Sequence, residues 1–405
     1  MGPVQVHGLE LDRRQQRLGR PGRMRVAYLI YGTGLGGGEL LLANHLAHCD
    51  RKRFDPMVIC SAEGPLAARL RSLSIPVFLL PLNEEANVLG WISVPRLRTL
   101  WQLARILNQE RVDLLHSYTM ETRNYAHAAA LITGLPLIHT SQDTWFGEMF
   151  GRWQWFALNH IPARIIVTSE TVRRSLRVGA TLSADRVVMI KPGIDLERFT
   201  PRTDARQVRA ELGVPPFAKV VGIIARLSSV KGYETFFAAA ARVAAAAPDV
   251  RFVIVGDAVL AYDDYARVLP LDITRHGLSD RVILTGFRDD VERLIASMDV
   301  VVSASPRESF GLVLAEAGAC ARPVVATCSG GAEEIVIPGT TGLLVPPAAP
   351  QAMADAILRV LGDPVAAAAM GAAGRRRVEE HFDLRKMVRA IESEYLAVAG
   401  TLRPH

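Results

Sequence analysis

The chain alternates short β-branched segments with longer amphipathic segments, and it does so twice. The first series starts at "MRVAYLIYG" (24–32), and the second starts at "AKVVGIIARL" (218–227) after a charged, proline-rich stretch. Strands that alternate with helices favour a parallel sheet covered by helices on both faces. We therefore predict an α/β fold with two Rossmann-like, doubly wound parallel-sheet domains.

A chain of 405 residues is long enough for two such domains. The predicted bounds are a disordered leader at 1–23, an N-terminal domain at 24–198, a linker at 199–216, a C-terminal domain at 217–382, and a last segment at 383–405 whose helix crosses back to the N-terminal domain. Sheets of this type bind ligands at the carboxyl ends of their strands. We expect the two domains to face each other across a cleft lined by these ends.

The composition excludes several classes of protein. The net charge of +6 is concentrated in the N-terminal half and forms no dense basic stripe, so no nucleic-acid partner is expected. No apolar run approaches the ~18 residues of a membrane-spanning helix, and the N-terminus lacks an apolar signal segment. The four cysteines lack metal-binding or CxxC spacing. We expect a reduced, cytoplasmic protein, with an anionic membrane surface at the inner face as a candidate partner of the basic half.

Two cations follow the first strand of the second series. "IIARLSSVKG" (223–232) ends a predicted strand and places Arg226 and Lys231 in the loop after it. The carboxyl end of a strand brings both cations to the expected cleft, where they could clamp a diphosphate. The alternative is that both are solvated surface charges.

Two carboxylates occupy an otherwise small and apolar segment, "SASPRESFGLVLAEAGACARPVVAT" (303–327). Phe310-Gly311-Leu312 should begin a helix there, whose free N–H groups and positive dipole end favour a phosphate. Glu308 and Glu316 are eight residues apart, which is about 80° of net rotation, so both can face the same cleft. A diphosphate repels carboxylates, so these acids should accept hydrogen bonds from hydroxyls, which sugars supply. Solvated surface glutamates remain the alternative.

The same segment resembles a known family. "ESFGLVLAE" (308–316) is similar to the E-x7-E signature of retaining glycosyltransferases of the GT-B fold, family 4 (glycosyl transferases group 1). Further similar segments occur in the family's usual order: "GGGELLLANHLA", "EGPLAARLRSLSIPV", "VDLLHSY", "IKPGIDLERFTP", "ARLSSVKG", "VGD", "RVILTGF", "DVVVSAS" and "GGAEEIV…GTTGLLVPP". The resemblance covers roughly residues 24–398 and implies a GT-B fold with an N-terminal acceptor domain and a C-terminal nucleotide-sugar donor domain.

The resemblance also implies an activity and its residues. A sugar would move with retention of configuration from a nucleotide-diphosphate sugar, most often a UDP-sugar, to a hydroxyl of a glycan, a lipid-linked sugar or a small molecule. Arg226 and Lys231 would neutralise the diphosphate, Glu316 would hold the ribose and Glu308 the transferred sugar, and His116 would lie near the reacting centre. Further donor contacts are implied at Gly36, Gly37, Gly38, Gly256, Phe287, Phe310, Gly311 and Leu312.

No cofactor and no metal ion are expected. Metal-dependent glycosyltransferases often use a D-x-D pair of carboxylates, and no two aspartates in this chain are separated by a single residue. Arg226 and Lys231 would then stabilise the leaving group themselves. The departing and attacking groups would share one face of the sugar, and Glu308 is the nearest candidate for a double-displacement nucleophile.

Three positions depart from the family pattern. Ala258 follows "GD" where the family usually has glycine, Ala321 stands where glycine is frequent, and Gln142 replaces a histidine in "TSQD". The last change lies on the acceptor side and weakens any prediction about the acceptor. None of the three removes a predicted diphosphate or ribose contact.

Two segments of the N-terminal half have two interpretations each. The aromatic stretch 143–160 either forms a rim that stacks sugar rings or meets lipid, or it packs a helix onto the sheet. In the predicted helix at 94–110, a core face explains Leu97, Leu100, Trp101 and Ala104, whereas Arg96, Arg98 and Arg105 could meet anionic lipid.

Other functions stay open at this point. A nucleotide-sugar 2-epimerase of the same architecture would bind a similar donor without an acceptor. An NAD-dependent oxidoreductase is disfavoured because "GTGLGGGE" does not match G-x-G-x-x-G in register. A protein that binds a sugar nucleotide without catalysis would have the same binding residues as an enzyme, so only a measurement of turnover distinguishes the two.

Overall fold

The computed structural model describes residues 22–32, 34–82, 85–88, 92–144, 152–177, 182–202, 204–258 and 265–401. The chain divides into two compact units. Unit 1 comprises the chain up to Thr168, Val172–Lys191 and the chain from Met387, and unit 2 comprises Ser169–Thr171 and Pro192–Lys386. The predicted leader falls almost entirely outside the described residues.

Unit 1 contains a seven-stranded sheet in the order β3-β2-β1-β6-β7-β8-β9, and all its pairings are parallel. The strands are β1 (Met24–Ile30), β2 (Phe54–Cys60), β3 (Val77–Leu79), β6 (Leu114–Ser117), β7 (Leu137–Ser141), β8 (Arg164–Val167) and β9 (Val187–Met189). The central strands β1, β6 and β7 are almost continuously buried, unlike the edge strands β3 and β9. Their aliphatic sequences are those expected where both faces of a parallel sheet are covered.

The helices of the first half connect these strands. They are α1 (Gly37–His48), α2 (Pro65–Ser72), α3 (Leu97–Gln109), α4 (Arg123–Thr133), α5 (Arg152–His160) and α6 (Glu170–Ser175). Helices α3 and α4 pack through Leu103, Leu107 and Tyr125 against one face of the sheet. A two-stranded antiparallel hairpin, β4 (Glu85–Val88) with β5 (Ile92–Pro95), pairs with neither large sheet and precedes α3. The sequence did not predict it.

Unit 2 contains a six-stranded parallel sheet in the order β12-β11-β10-β13-β14-β15. The strands are β10 (Val220–Ile224), β11 (Arg251–Val255), β12 (Val282–Leu284), β13 (Val300–Ser303), β14 (Val324–Thr327) and β15 (Gly342–Val345). The helices of the second half of the chain are α7 (Ala205–Glu211), α8 (Tyr233–Ala246), α9 (Tyr265–Arg275), α10 (Val291–Ser297), α11 (Leu312–Ala319), α12 (Gly331–Ile335), α13 (Pro350–Gly362), α14 (Pro364–His381) and α15 (Leu384–Thr401). Together the two sheets form the predicted pair of doubly wound α/β domains.

The predicted linker at 199–216 is not a linker. Unit 2 already begins at Pro192, and Phe199, Val208 and Val214 are buried in its core. Arg209 on α7 donates to the Ser297 carbonyl (2.7 Å) and pairs with Asp299 (2.8 Å). The charged residues that suggested a linker cover the outer side of a packed segment.

The last helix, α15, changes unit along its length. Its residues from Met387 belong to unit 1, where Tyr395 is buried beside Phe54. Glu392 accepts a hydrogen bond of 2.8 Å from the Asp50 N–H. The helix that the sequence predicts at the C-terminus therefore contributes to the core of the first unit.

Within the described ranges, no single helix is both long and apolar enough to cross a membrane. The bent pair α13 and α14 meets the length and composition criteria when its two helices are taken together.

Candidate active site

Two neighbouring strands of unit 2 end at the point where the winding direction of the sheet reverses. From β10 the chain proceeds to β11 on one side, whereas β13 lies on the other side and continues to β14. Ligands of doubly wound sheets bind at such a switch point, outside the carboxyl ends of the strands. The loops after β10 and β13 approach closely, since a Cβ on Gly232 would lie 2.0 Å from the Ala304 carbonyl oxygen.

The two predicted cations lie in the loop after β10. Lys231 ends a short 3-10 turn and its Nζ lies 2.9 Å from Glu308 Oε2, so the loops after β10 and β13 are joined by an ion pair. The Arg226 side chain is exposed, and no residue of the described part of the chain forms a hydrogen bond or ion pair with it. The edge therefore presents one paired cation and one cation available to an anion.

Helix α11 begins beside this ion pair. Gly311 precedes it with φ +96°, a left-handed conformation that glycine adopts without strain. Leu312 is the first helical residue, as predicted. The Phe310 ring is buried, 5.5 Å from the ring of Phe382, so Phe310 offers a ligand only its backbone.

The loop after β14 fixes the position of Glu308. The Glu308 N–H donates to the Ser329 carbonyl and the Gly331 N–H donates to the Glu308 carbonyl, each at 2.9 Å. A Cβ on Gly331 would lie only 2.4 Å from Phe310 Cα. Gly330 and Gly331 were not predicted as site residues from the sequence, although paired glycines before a helix were the available signal.

Glu316 lies in the second turn of α11 and keeps a partly exposed surface. Burial raises the pKa of its carboxyl to about 7, while Arg198 lowers that pKa and Glu292 raises it further. Arg198 and Glu292 form an ion pair of 2.9 Å, and neither was predicted from sequence. A carboxyl in this environment gains from a hydroxyl that donates to it, because the donated hydrogen bond favours the charged form.

The loops after β11 and β12 extend the same edge. The Gly256 N–H donates to the Gly286 carbonyl (3.0 Å), and a Cβ on Gly256 would lie 2.0 Å from the Ala225 carbonyl oxygen. Gly256 is therefore required for the approach of this loop to the segment that carries Arg226. Phe287 presents an aromatic surface that is 52% exposed.

In unit 1, the glycine-rich turn leads into α1. Gly36 precedes the helix in extended conformation, and Gly37 and Gly38 form its first turn. The Glu39 carboxylate folds back over this turn, since its Oε2 lies 2.8 Å from the point that a Cβ atom on Gly36 would occupy. A diphosphate at the predicted Gly36–Gly38 contact would meet this negative charge.

His116 is not placed for catalysis. It is fully buried in β6, with Nδ1 2.7 Å from the Tyr395 hydroxyl and Nε2 2.7 Å from the Thr140 hydroxyl. Burial also lowers its pKa well below the usual value, so the ring is neutral. This geometry contradicts the predicted position of His116 beside the reacting centre, because both ring nitrogens are engaged inside the core.

Two further predictions concern the acceptor side and metal ions. Gln142 donates from Nε2 to the Tyr118 carbonyl (2.9 Å), and its Oε1 lies 3.1 Å from a Cβ position on Gly38. Of the aromatic stretch 143–160, residues 145–151 lie outside the described residues, whereas the Phe156 ring is exposed and stacks on His160. No group of three His, Cys, Asp or Glu residues suited to a metal ion occurs in the described part of the chain.

Sequence models of two families match consecutive parts of the chain. The model described as "Glycosyltransferase Family 4" matches residues 35–198. The model described as "Glycosyl transferases group 1" matches residues 218–363. The second match contains every predicted site residue of unit 2.

Characterised proteins and solved structures show the same similarity. The chain is 35% identical over 205 residues to the D-inositol 3-phosphate glycosyltransferase of Corynebacterium urealyticum, covering 49% of this chain and 48% of that protein. The matched segment thus spans about half of that relative. The alpha-maltose-1-phosphate synthase of Mycolicibacterium smegmatis is 32% identical over 305 residues, 69% of this chain and 78% of that protein. The crystal structure of Anabaena Alr3699/HepE in complex with UDP and glucose superposes with a TM-score of 0.81 at 28% identity, covering 92% of this chain and 99% of that chain.

Proposed function

Because the chain belongs to the family 4 glycosyltransferases (glycosyl transferases group 1), enzymes of GT-B fold, we propose that it transfers a sugar from a nucleoside diphosphate sugar to a hydroxyl acceptor. We further propose retention of the anomeric configuration and no requirement for a metal ion. The observation that carries the proposal is the Lys231–Glu308 pair at the switch point, with Arg226 and the α11 N-terminus beside it.

The cations serve the leaving group in this mechanism. As the bond from sugar C1 to the diphosphate oxygen breaks, negative charge grows on the diphosphate. Arg226, Lys231 and the first N–H groups of α11 stabilise that charge, because fixed donors aimed at a developing charge lower the barrier. The acceptor oxygen bonds to C1 from the same face, and its proton passes to the departing diphosphate oxygen.

The carboxylates select the donor. Glu308 accepts hydrogen bonds from hydroxyls of the transferred sugar and Glu316 accepts them from the ribose. The hydrogen bond of 2.9 Å from Lys231 orients the Glu308 carboxylate. We assign Glu308 to sugar binding rather than to nucleophilic attack, because its carboxylate already serves Lys231.

We propose a UDP-sugar as donor. The Anabaena structure contains UDP and glucose, which supports uridine as the base. A relative at 36% identity from Corynebacterium glutamicum is described as GDP-mannose-dependent, so a guanosine donor is the alternative to be tested. The proposed acceptor is a hydroxyl of a glycan, a lipid-linked sugar or a small molecule.

A thermal-shift panel of UDP-, GDP- and ADP-sugars tests the donor. A donor that binds only the folded protein stabilises it, by about 2.7 kcal/mol at a hundredfold excess over its Kd. We expect a shift with UDP-sugars and none with ADP-sugars. No shift with any sugar nucleotide would contradict the proposal.

Proton NMR of the first sugar product tests the reaction. Retention predicts that the product has the same anomeric configuration as the donor. Inversion would contradict the mechanism, and a donor epimerised at C2 in the absence of an acceptor would identify a 2-epimerase. If the protein binds a donor but turns over none, with or without acceptors, it is a sugar-nucleotide-binding protein without catalytic activity.

A further inference from the structure

The outer face of α3 in unit 1 is apolar and basic. We use the term outer face of α3 for four exposed residues, Leu97, Arg98, Trp101 and Arg105. These residues fall within an arc of about 100° around the helix axis. Leu97 is 82% exposed and Trp101 is 62% exposed. Leu97 and Trp101 are neighbours at i, i+4 on the helix surface, and adjacent exposed apolar side chains with a polar rim are typical of an interaction site, whereas single exposed ones are common on any surface.

The core does not account for these two side chains. The buried side of α3 is formed by Leu100, Leu103 and Leu107. The core face expected from the sequence was therefore right for Leu100 and Ala104 and wrong for Leu97 and Trp101. The i, i+3, i+4 spacing allowed both assignments, because Leu97 and Trp101 border the buried side.

The charges of this face have one sign. Helix α3 contains no aspartate or glutamate, and the Arg105 guanidinium lies over the Trp101 ring at 5.5 Å from its centroid. The neighbouring helix α4 also contains no acid and exposes Leu131 and Ile132. Tryptophan with flanking arginines is the composition that inserts at the boundary between lipid headgroups and acyl chains.

We propose that the outer face of α3 docks on an anionic lipid bilayer. Leu97 and Trp101 enter the interface, and Arg98 and Arg105 pair with lipid phosphates. Charge complementarity favours a bilayer over a second copy of this chain, because two copies of this face would bring arginines against arginines.

Vesicle co-sedimentation of the full chain tests the proposal. Wild-type protein should pellet with equimolar phosphatidylglycerol and phosphatidylcholine at low salt, and much less with phosphatidylcholine alone or at high salt. The double variant Leu97→Ser/Trp101→Ser should lose at least about tenfold of the binding, because two inserted side chains are removed. The matched control Phe217→Ser/Val365→Ser removes two similarly exposed side chains of unit 2 and should bind like wild type.

Two further readouts keep the test decisive. Trp101→Phe should remove most of the blue shift of tryptophan fluorescence on adding anionic vesicles, while thermal unfolding and sugar-nucleotide binding without vesicles stay unchanged. Equal pelleting of the wild type and the Leu97→Ser/Trp101→Ser variant would overturn the proposal. A dimer seen by analytical ultracentrifugation and abolished by that variant would also overturn it, and would identify the face as a protein interface.

Discussion

At the scale of single residues, the surroundings of Glu316 change the chemistry of its carboxyl group. It sits in an apolar helix, and burial raises its pKa to about 7. Its folded-state pKa is thus above the unfolded value, so this site stabilises the folded protein most below pH 4.5 and loses that contribution as the pH rises towards 7. A ribose hydroxyl that donates to the carboxylate reverses the preference and favours the charged form.

Donor binding should therefore release protons near neutral pH. With a pKa of about 7 in the free protein, about half a proton should leave at pH 7 if the bound carboxylate is charged. Calorimetric titration of a UDP-sugar in buffers of different ionisation enthalpy measures this number. Glu316→Gln should bind without proton release. Identical proton release in wild type and variant would assign the titration to another group.

Ala321 shows what a departure from the family pattern costs. It follows the last residues of α11 with φ +53°, and the N–H groups of Ala321 and Arg322 donate to the Gly318 and Ala317 carbonyls. This is a Schellman motif, whose left-handed position favours glycine. The frequent glycine of the family at this position thus has a structural explanation.

Replacing Ala321 by glycine should stabilise the protein. Relief of the left-handed conformation outweighs the added entropy of the unfolded chain, so we expect a gain of about 0.5–1 kcal/mol in the free energy of unfolding. Urea unfolding measures it. Ala317→Gly, inside the same helix and buried, should instead lose about 1 kcal/mol. Loss of stability in both variants would refute the strain at Ala321.

Residue roles were only partly predictable from the sequence. Strand ends place Arg226, Lys231 and Glu308 at one edge, and this follows from the order of strands and loops. The burial of His116 was not predictable, because its partners Thr140 and Tyr395 are distant in sequence. Arg198 and Glu292 were missed for the same reason.

At the scale of secondary-structure elements, the start of α11 and the start of α12 lock each other in place. The backbone of Gly331 approaches the Phe310 backbone so closely that no side chain fits between them. Glu308 is held by hydrogen bonds on both sides of this contact. The positions of Glu308, the proposed sugar-binding residue, and of the start of α11, the proposed phosphate-binding end, therefore depend on one glycine.

Gly331→Ala should weaken both stability and donor binding. The added Cβ meets backbone atoms that cannot rotate away, so we expect a loss of about 2–3 kcal/mol in the free energy of unfolding and weaker binding of UDP-sugars. Gly339→Ala is the control, since Gly339 has φ +75° but open space around it. That variant should cost about 1–2 kcal/mol and leave binding intact. Wild-type binding by Gly331→Ala would show that the loops after β13 and β14 are independent.

Elements with a long, clear hydrophobic pattern were predictable from the sequence, whereas short elements and elements with few buried side chains were not. Buried parallel strands such as β1 and β10 are long runs of β-branched and aliphatic residues, so their type is evident. The hairpin of β4 and β5 has strands of only four residues. The segment 199–216 buries few side chains among many charges, which made a packed segment resemble a linker.

At the scale of the whole molecule, the two units differ in the polar groups that they bury. Unit 1 buries four histidines, His45, His116, His127 and His139. Burial lowers the pKa of His45 and His127 to about 3 and lowers the pKa of the other two well below 6.5. His45 has no hydrogen-bond partner at either ring nitrogen within the described part of the chain.

Unit 1 should therefore unfold in mild acid. The stability from neutral buried histidines is complete above pH 6.5 and decreases as the pH falls below it, by about 1.4 kcal/mol per pH unit for each group. All five tryptophans lie in the part of the chain assigned to unit 1, at positions 91, 101, 145, 153 and 155. Tryptophan fluorescence during acid titration thus follows unit 1.

His45→Phe should move this acid transition to lower pH, because it removes a group that must be desolvated and neutral. His48→Gln, at an exposed position of the same helix, should leave the transition unchanged. An acid transition unaffected by His45→Phe would show that the buried histidines do not set it.

The loop after β10 is proposed to bind the donor diphosphate, and calorimetric titration with a UDP-sugar measures its contribution to donor affinity. Lys231→Met should weaken binding by roughly ten- to a hundredfold, as expected for the loss of a charged hydrogen bond of about 1.5–3 kcal/mol. Lys219→Met removes an exposed lysine just before the same strand, at the opposite edge of the sheet, and should bind like wild type. Equal affinities of Lys231→Met and Lys219→Met would contradict the assignment of the donor site.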